Sequence, residues 1–180
     1  IFYDLAKLEG YEDLEERVVI DWGLNTVSWH QYLREKPVVE LLASGGEAIP
    51  VFSDYLQFIL THEELVTIVE NPDAHRDWKS RLSAVAGVYL IQATTTGKQY
   101  VGSAHGANGV WSRWSDYARN GHGGNKLLEE LVREDSGYPS AFQFSLLQVL
   151  PKSMTRADVI GWEQVFKNKL GSRATGLNLN

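Results

Sequence analysis

Four side chains in this sequence stand in settings that could do chemistry: Glu163, Arg113, Tyr89 and Tyr100. Glu163 falls in a helical pattern with Ile160, Val165, Phe166 and Leu170 at core-facing spacings, so its carboxylate is expected to point toward the fold rather than into water. A carboxylate so placed needs a partner, and a hydrated magnesium ion is a natural one, with manganese able to substitute. Arg113 opens a helix between Trp111 and Trp114, where its planar guanidinium could grip two oxygens of an oxyanion in a fork that lysine does not reproduce. A tyrosine normally ionises near pH ~10, but a neighbouring cation and arginine can lower that enough for it to take a proton. The chain has no cysteine, so any metal must be held by oxygen or imidazole. The five histidines show no i, i+4 pairing or zinc-ligand grouping, and they suggest no histidine metal site.

The elements that must position these groups are legible in residues 84–180. Residues 85–92 form an apolar run, residues 93–97 a Thr-rich turn, and Gln99-Tyr100-Val101 begins a second strand of a hairpin. A Gly-rich loop over residues 102–109, containing His105, leads into a helix over residues 110–119. A second loop, Gly121-His122-Gly123-Gly124, is followed by Asn125, which can cap a helix over residues 126–133. Backbone amides of either loop could receive phosphate, although neither has the Gly-Lys-Ser/Thr ending of a P-loop. Residues 142–150 alternate as a third strand. Thr155 caps a last helix that runs to Leu170 and ends at Gly171. The order β-β-α-α-β-α implies an α+β sandwich with helices flanking a small, three-stranded, antiparallel-centred sheet.

The tripeptides Gly87-Val88-Tyr89 and Tyr100-Val101-Gly102, with ten residues between their tyrosines, resemble the paired elements of the GIY-YIG nucleases. The resemblance spans residues 84–180, and it extends to an arginine on the first helix (Arg113), a glutamate on the last helix (Glu163) and an asparagine after it (Asn178). It implies a metal-dependent endonuclease that hydrolyses phosphodiester bonds in DNA, with Mg2+ at Glu163. It implies Tyr89 as the general base and Tyr100 as the group that positions water or phosphate. Tyr117, one turn after Arg113, stands where many family members carry histidine, and a tyrosine there can still donate to a phosphate. Asn178 could orient a phosphate or Glu163. Lys98, His105, His122 and Arg119 complete the candidate substrate contacts.

The formal net charge of -6 does not suit a nucleic-acid binder, but it is unevenly spread. Residues 1–84 carry -9 and residues 85–180 carry +3. Residues 1–83 read as a small, mostly β domain with a helical linker, suited to substrate targeting or protein contact. Short β runs are expected at residues 17–23, 27–33 and 37–42, and Thr61 can cap a helix that Pro72 closes. Trp22, Trp29, Tyr32 and Tyr55 could line a pocket for a flipped or modified base. The apolar start at Ile1 suggests a preceding segment. Nothing resembles a signal peptide or membrane span, which points to a cytoplasmic protein. One active site that must cut both strands works as a homodimer or by successive nicks. Restriction, phage defence and genome maintenance are the roles such an enzyme would suit. A catalytically idle binding module with the same fold, and an RNA-cutting enzyme, are the alternatives.

Overall fold

The computed structural model describes residues 10, 14, 17–23, 35–41 and 49–178. The chain divides into two compact units, Ile1–Pro50 and Val51–Asn180. In the first, β1 (Val18–Ile20) pairs antiparallel with β2 (Val38–Leu41), as the β-branched runs suggest. The β run expected at residues 27–33, with Trp29 and Tyr32, lies outside the described residues.

The second unit begins 33 residues earlier than the boundary suggested by the motifs, at Val51 instead of Ala84. The reason is packing. The element β3 (Leu60–Thr61) pairs with the last strand, and the two helices after it bury Leu65, Ile68, Trp78 and Leu82. The first of them, α1 (His62–Glu70), starts with a capping box in which Thr61 and Glu64 satisfy each other's backbone N–H groups. The second, α2 (Arg76–Ala84), leads into the hairpin.

The hairpin is β4 (Ala86–Ala93) and β5 (Gln99–Ala104), followed by α3 (Gly109–Asn120), α4 (Lys126–Glu134), a 3-10 turn at Tyr138–Ala141, β6 (Phe142–Leu150) and α5 (Arg156–Leu170). The sheet has four strands in the order β3-β6-β4-β5. All its pairings are antiparallel, as expected from sequence, and β3 adds a fourth strand to the three expected. Here β4 is central and β5 is an edge. The α+β class stands.

Strand alternation gives the sheet two faces with different chemistry. On one, where Ile91 is also buried, Tyr89 and Phe144 meet Trp114 and Tyr117 of α3 in a ring-on-ring core that continues to Phe58, Trp78 and Phe52. On the other, Val88, Val101 and Leu150 pack with Val159 of α5, and Phe166 lies against them. Val165 and Leu170 are exposed, contrary to the expected core face. The apolar stripe of α5 is Val159 and Phe166, and Glu163 falls between them on that stripe.

Candidate active site

A cavity of about 820 Å³ opens at the β5 edge of the sheet. Because β5 has a neighbour on one side only, side chains from both faces reach the same space. Tyr100 and Arg113 enter from the aromatic face, and Ser103 and Glu163 from the α5 face. One stripe of α5 (Arg156, Ile160, Glu163 and Lys167) forms a wall at helical spacings of three and four. His105, from the Gly-rich loop, also lines it. Four cations, Arg113, Lys126, Arg156 and Lys167, face two carboxylates, Asp116 and Glu163.

Arg113 is fixed before any ligand arrives. Its Nε donates to the Tyr89 hydroxyl at 3.3 Å and its Nη1 to the Gly123 carbonyl at 2.5 Å, while the guanidinium lies over the Tyr117 ring at 5.4 Å. Two of its five N–H donors are engaged in these bonds. Gly123 has φ of 53°, and a Cβ there would come within 2.7 Å of the Tyr117 ring, so only glycine brings that carbonyl to Arg113.

The two motif tyrosines divide by access. Tyr100 lines the cavity at 8% exposure. Tyr89 is fully buried, with its hydroxyl 3.1 Å from that of Tyr117, which is also fully buried. The space for the Tyr89 phenol exists because residue 102 is glycine, since a Cβ there would sit 2.5 Å from its ring and hydroxyl. Burial, seconded by the nearby Tyr100, pushes Tyr89 ionisation well above the tyrosine range, and the smaller opposing pull of Arg113 does not reverse it. Tyr117 is pushed up likewise, chiefly by burial. Of the two motif tyrosines, Tyr100 lines the cavity and Tyr89 lies behind it, held by Tyr117 and Arg113. Tyr117 likewise lies behind the cavity, against Tyr89 and Arg113.

Glu163 uses both carboxylate oxygens. Oε1 pairs with Nζ of Lys167 at 2.8 Å, and Oε2 accepts a short hydrogen bond from the Ser103 hydroxyl. Thr155 caps the start of α5, and Gly171, in the left-handed region, ends it. Among the described residues no three His, Asp or Glu side chains gather as a metal cage. The donor set still fits magnesium in its usual form, one carboxylate with retained waters and the remaining charge supplied by a substrate phosphate. A carboxylate offers about four lone-pair sites, and the two bonds just named take two.

The side-chain amide of Asn178 is engaged with backbone. Its amide accepts from Val101 N–H at 2.9 Å and donates to Val101 C=O at 2.8 Å, closing the edge of β5 beside Tyr100. Lys98 is exposed at the hairpin, and Arg119 is exposed and 3.7 Å from Asp116. His122 accepts from Gly124 N–H within its own loop. None of these three lines the cavity. Of the aromatics offered for base recognition, Trp22 carries the Lys36 ammonium 5.2 Å from its ring centroid, and Tyr55 donates to the Arg81 carbonyl. Sequence reasoning missed Ser103, Lys126, Arg156 and Lys167. Lys167 had a signal, since it follows Glu163 by four residues on a helix.

The chain has the α+β fold that the resemblance implies. No family model matches it, and no curated protein matches it. Among solved structures it is similar to the catalytic domain of homing endonuclease I-TevI, at 25% identity over 53% of this chain and 98% of that one, with a TM-score of 0.40. It is also similar to a point mutant of the catalytic domain of intron endonuclease I-TevI, at 24% identity over 53% of this chain and 94% of that one, with a TM-score of 0.41.

Proposed function

We propose that the chain is a metal-dependent endonuclease that hydrolyses phosphodiester bonds in DNA, with its site in the β5-edge cavity. The observation that carries this reading is the convergence of Tyr100, Arg113 and Glu163, from three different elements, on one polar space with an excess of cations. Restriction, phage defence or genome maintenance would use such an activity.

In this reading the phosphate sits against Arg113, whose free N–H donors hold two of its oxygens and balance the charge that grows on them. Tyr100 is the tyrosine with access: having first released its own hydroxyl proton to solvent, its phenolate meets the attacking water and takes that water's proton as the water oxygen bonds to phosphorus. The bond from phosphorus to the sugar oxygen breaks, and that oxygen leaves as an alkoxide to be protonated from solvent. A magnesium ion on Glu163, when bound, would supply positive charge for the leaving oxygen and lower the ionisation of groups beside it. Tyr89 and Tyr117 hold the arginine in register, and Asn178 holds the strand that carries Tyr100.

Incubation of the full chain with labelled DNA duplexes, modified and unmodified, and with RNA, in magnesium and then in chelator, tests this. DNA cut in magnesium and intact in chelator is expected. Cleavage of RNA alone would change the substrate, and no cleavage of any strand in magnesium or manganese would overturn the reading.

A further inference from the structure

Lys167 is a charged group of the site that the proposed chemistry does not use. Its side chain is 4% exposed, and an ammonium is almost never so buried unless it is paired. It follows Glu163 by one helical turn, the favourable order for an acid and a base on a helix, and its Nζ lies 2.8 Å from Oε1. The other oxygen of the same carboxylate is held by Ser103. The glutamate is thus aimed from two sides, and one of its two anchors is a full positive charge. Its side chain is itself only 15% exposed, so water screens that charge weakly.

We propose that Lys167 is a positioning residue that sets the metal affinity of Glu163, holding the carboxylate in place while weakening its grip on a divalent cation until a phosphate backbone is present. The inference rests on the metal-dependent reading given above. A cation arriving at Glu163 shares the carboxylate with an ammonium that the helix and its burial keep in place. The negative charge of a bound nucleic acid offsets that repulsion. Metal and nucleic acid then strengthen each other's binding by the same factor, because such coupling is reciprocal. The device would keep the site nearly empty of metal between substrates.

The test is titration of the full chain with Mn2+, following the free ion by electron paramagnetic resonance, without nucleic acid. The variants are Lys167→Met, which keeps the apolar stem, Lys167→Arg, which keeps the charge, and Glu163→Gln alone and combined with each of these. A like charge beside a buried site is commonly worth ten- to a thousand-fold. Lys167→Met is therefore expected to bind Mn2+ at least about tenfold more tightly than the parent. Lys167→Arg should stay close to the parent, and Glu163→Gln should abolish the gain. Thermal melts check that each variant is folded. If Lys167→Met does not fold, the parent carries the test, because a phosphorothioate DNA duplex that resists cutting must then raise its Mn2+ affinity at least about tenfold. Equal affinity in the parent and Lys167→Met, lost in both on Glu163→Gln, would overturn the role of Lys167 and leave the metal at Glu163. Affinity indifferent to Glu163→Gln would overturn both. An unchanged parent affinity on adding the duplex would overturn the coupling.

Discussion

Tyr100 and Tyr89 are alike in sequence, each a tyrosine in a strand beside a glycine and a valine, yet only Tyr100 meets the cavity. Sequence identified both positions, and the resemblance favoured Tyr89, but their access was not legible, because it depends on which strand of the hairpin lies at the edge of the sheet. Removing each hydroxyl should separate the roles. Tyr100→Phe is expected to slow cleavage about 100-fold or more, the usual cost of losing a proton-transfer group, with little change in melting. Tyr89→Phe leaves Tyr117 and Arg113 short of a buried partner and is expected to destabilise the fold by about 1–3 kcal/mol, read by urea unfolding. The opposite pattern would restore Tyr89 as the reacting phenol. A second check is alkaline titration. In the unfolded chain a tyrosine ionises near pH ~10, whereas Tyr89 and Tyr117 are held above that in the fold. The unfolded state therefore releases protons first, and stability falls as pH rises above about 10. Tyrosinate absorbance should show these two phenols ionising only as the fold opens.

At the level of elements, strands β4, β5 and β6 and all five helices were legible, because each had a periodicity and a terminal signal: Thr61, Asn125 and Thr155 cap as expected. What was not legible was adjacency. The short β3 has only Leu60 and Thr61, and nothing in two residues shows that they pair with β6. The contact made by Asn178 was hidden likewise, since nothing in Gly176-Leu177-Asn178 shows that the edge of β5 lies beside it. Asn178→Ala would orphan a backbone donor and acceptor at Val101. It should cost about 1–3 kcal/mol and speed hydrogen exchange at the Val101 amide, and unchanged exchange would show the clamp to be dispensable. The start of α1 carries a pH dependence of its own. His62 stacks on Phe144 near the Tyr117 carbonyl, and burial lowers its protonation below the ordinary histidine value despite that carbonyl. The unfolded chain thus gains a proton first as pH falls below about 6.5, and the fold loses stability there. Melting temperature should drop between pH 7.5 and 5.5 in the parent and drop less in His62→Gln, and parallel slopes would remove His62 as the cause.

On the scale of the whole chain, the charge asymmetry seen in sequence does not coincide with the structural units. Residues 51–180 hold thirteen basic and thirteen acidic side chains, so the excess of cations is a local property of the cavity wall and not of the unit's net charge. A chain starting at Val51 is expected to unfold cooperatively. One starting at Ala84 lacks Leu60, Leu65, Ile68, Trp78 and Leu82 from its core, and it should melt at a lower temperature or not fold. Equal stability of the two would return the boundary to residue 84. The most direct test of the central claim is nicking of supercoiled plasmid by the full chain in magnesium or manganese, comparing the parent with Glu163→Gln. Metal-dependent nicking that falls at least about 100-fold in Glu163→Gln is expected if the β5-edge cavity is the active site. Nicking that persists in Glu163→Gln, or in chelator, would contradict it.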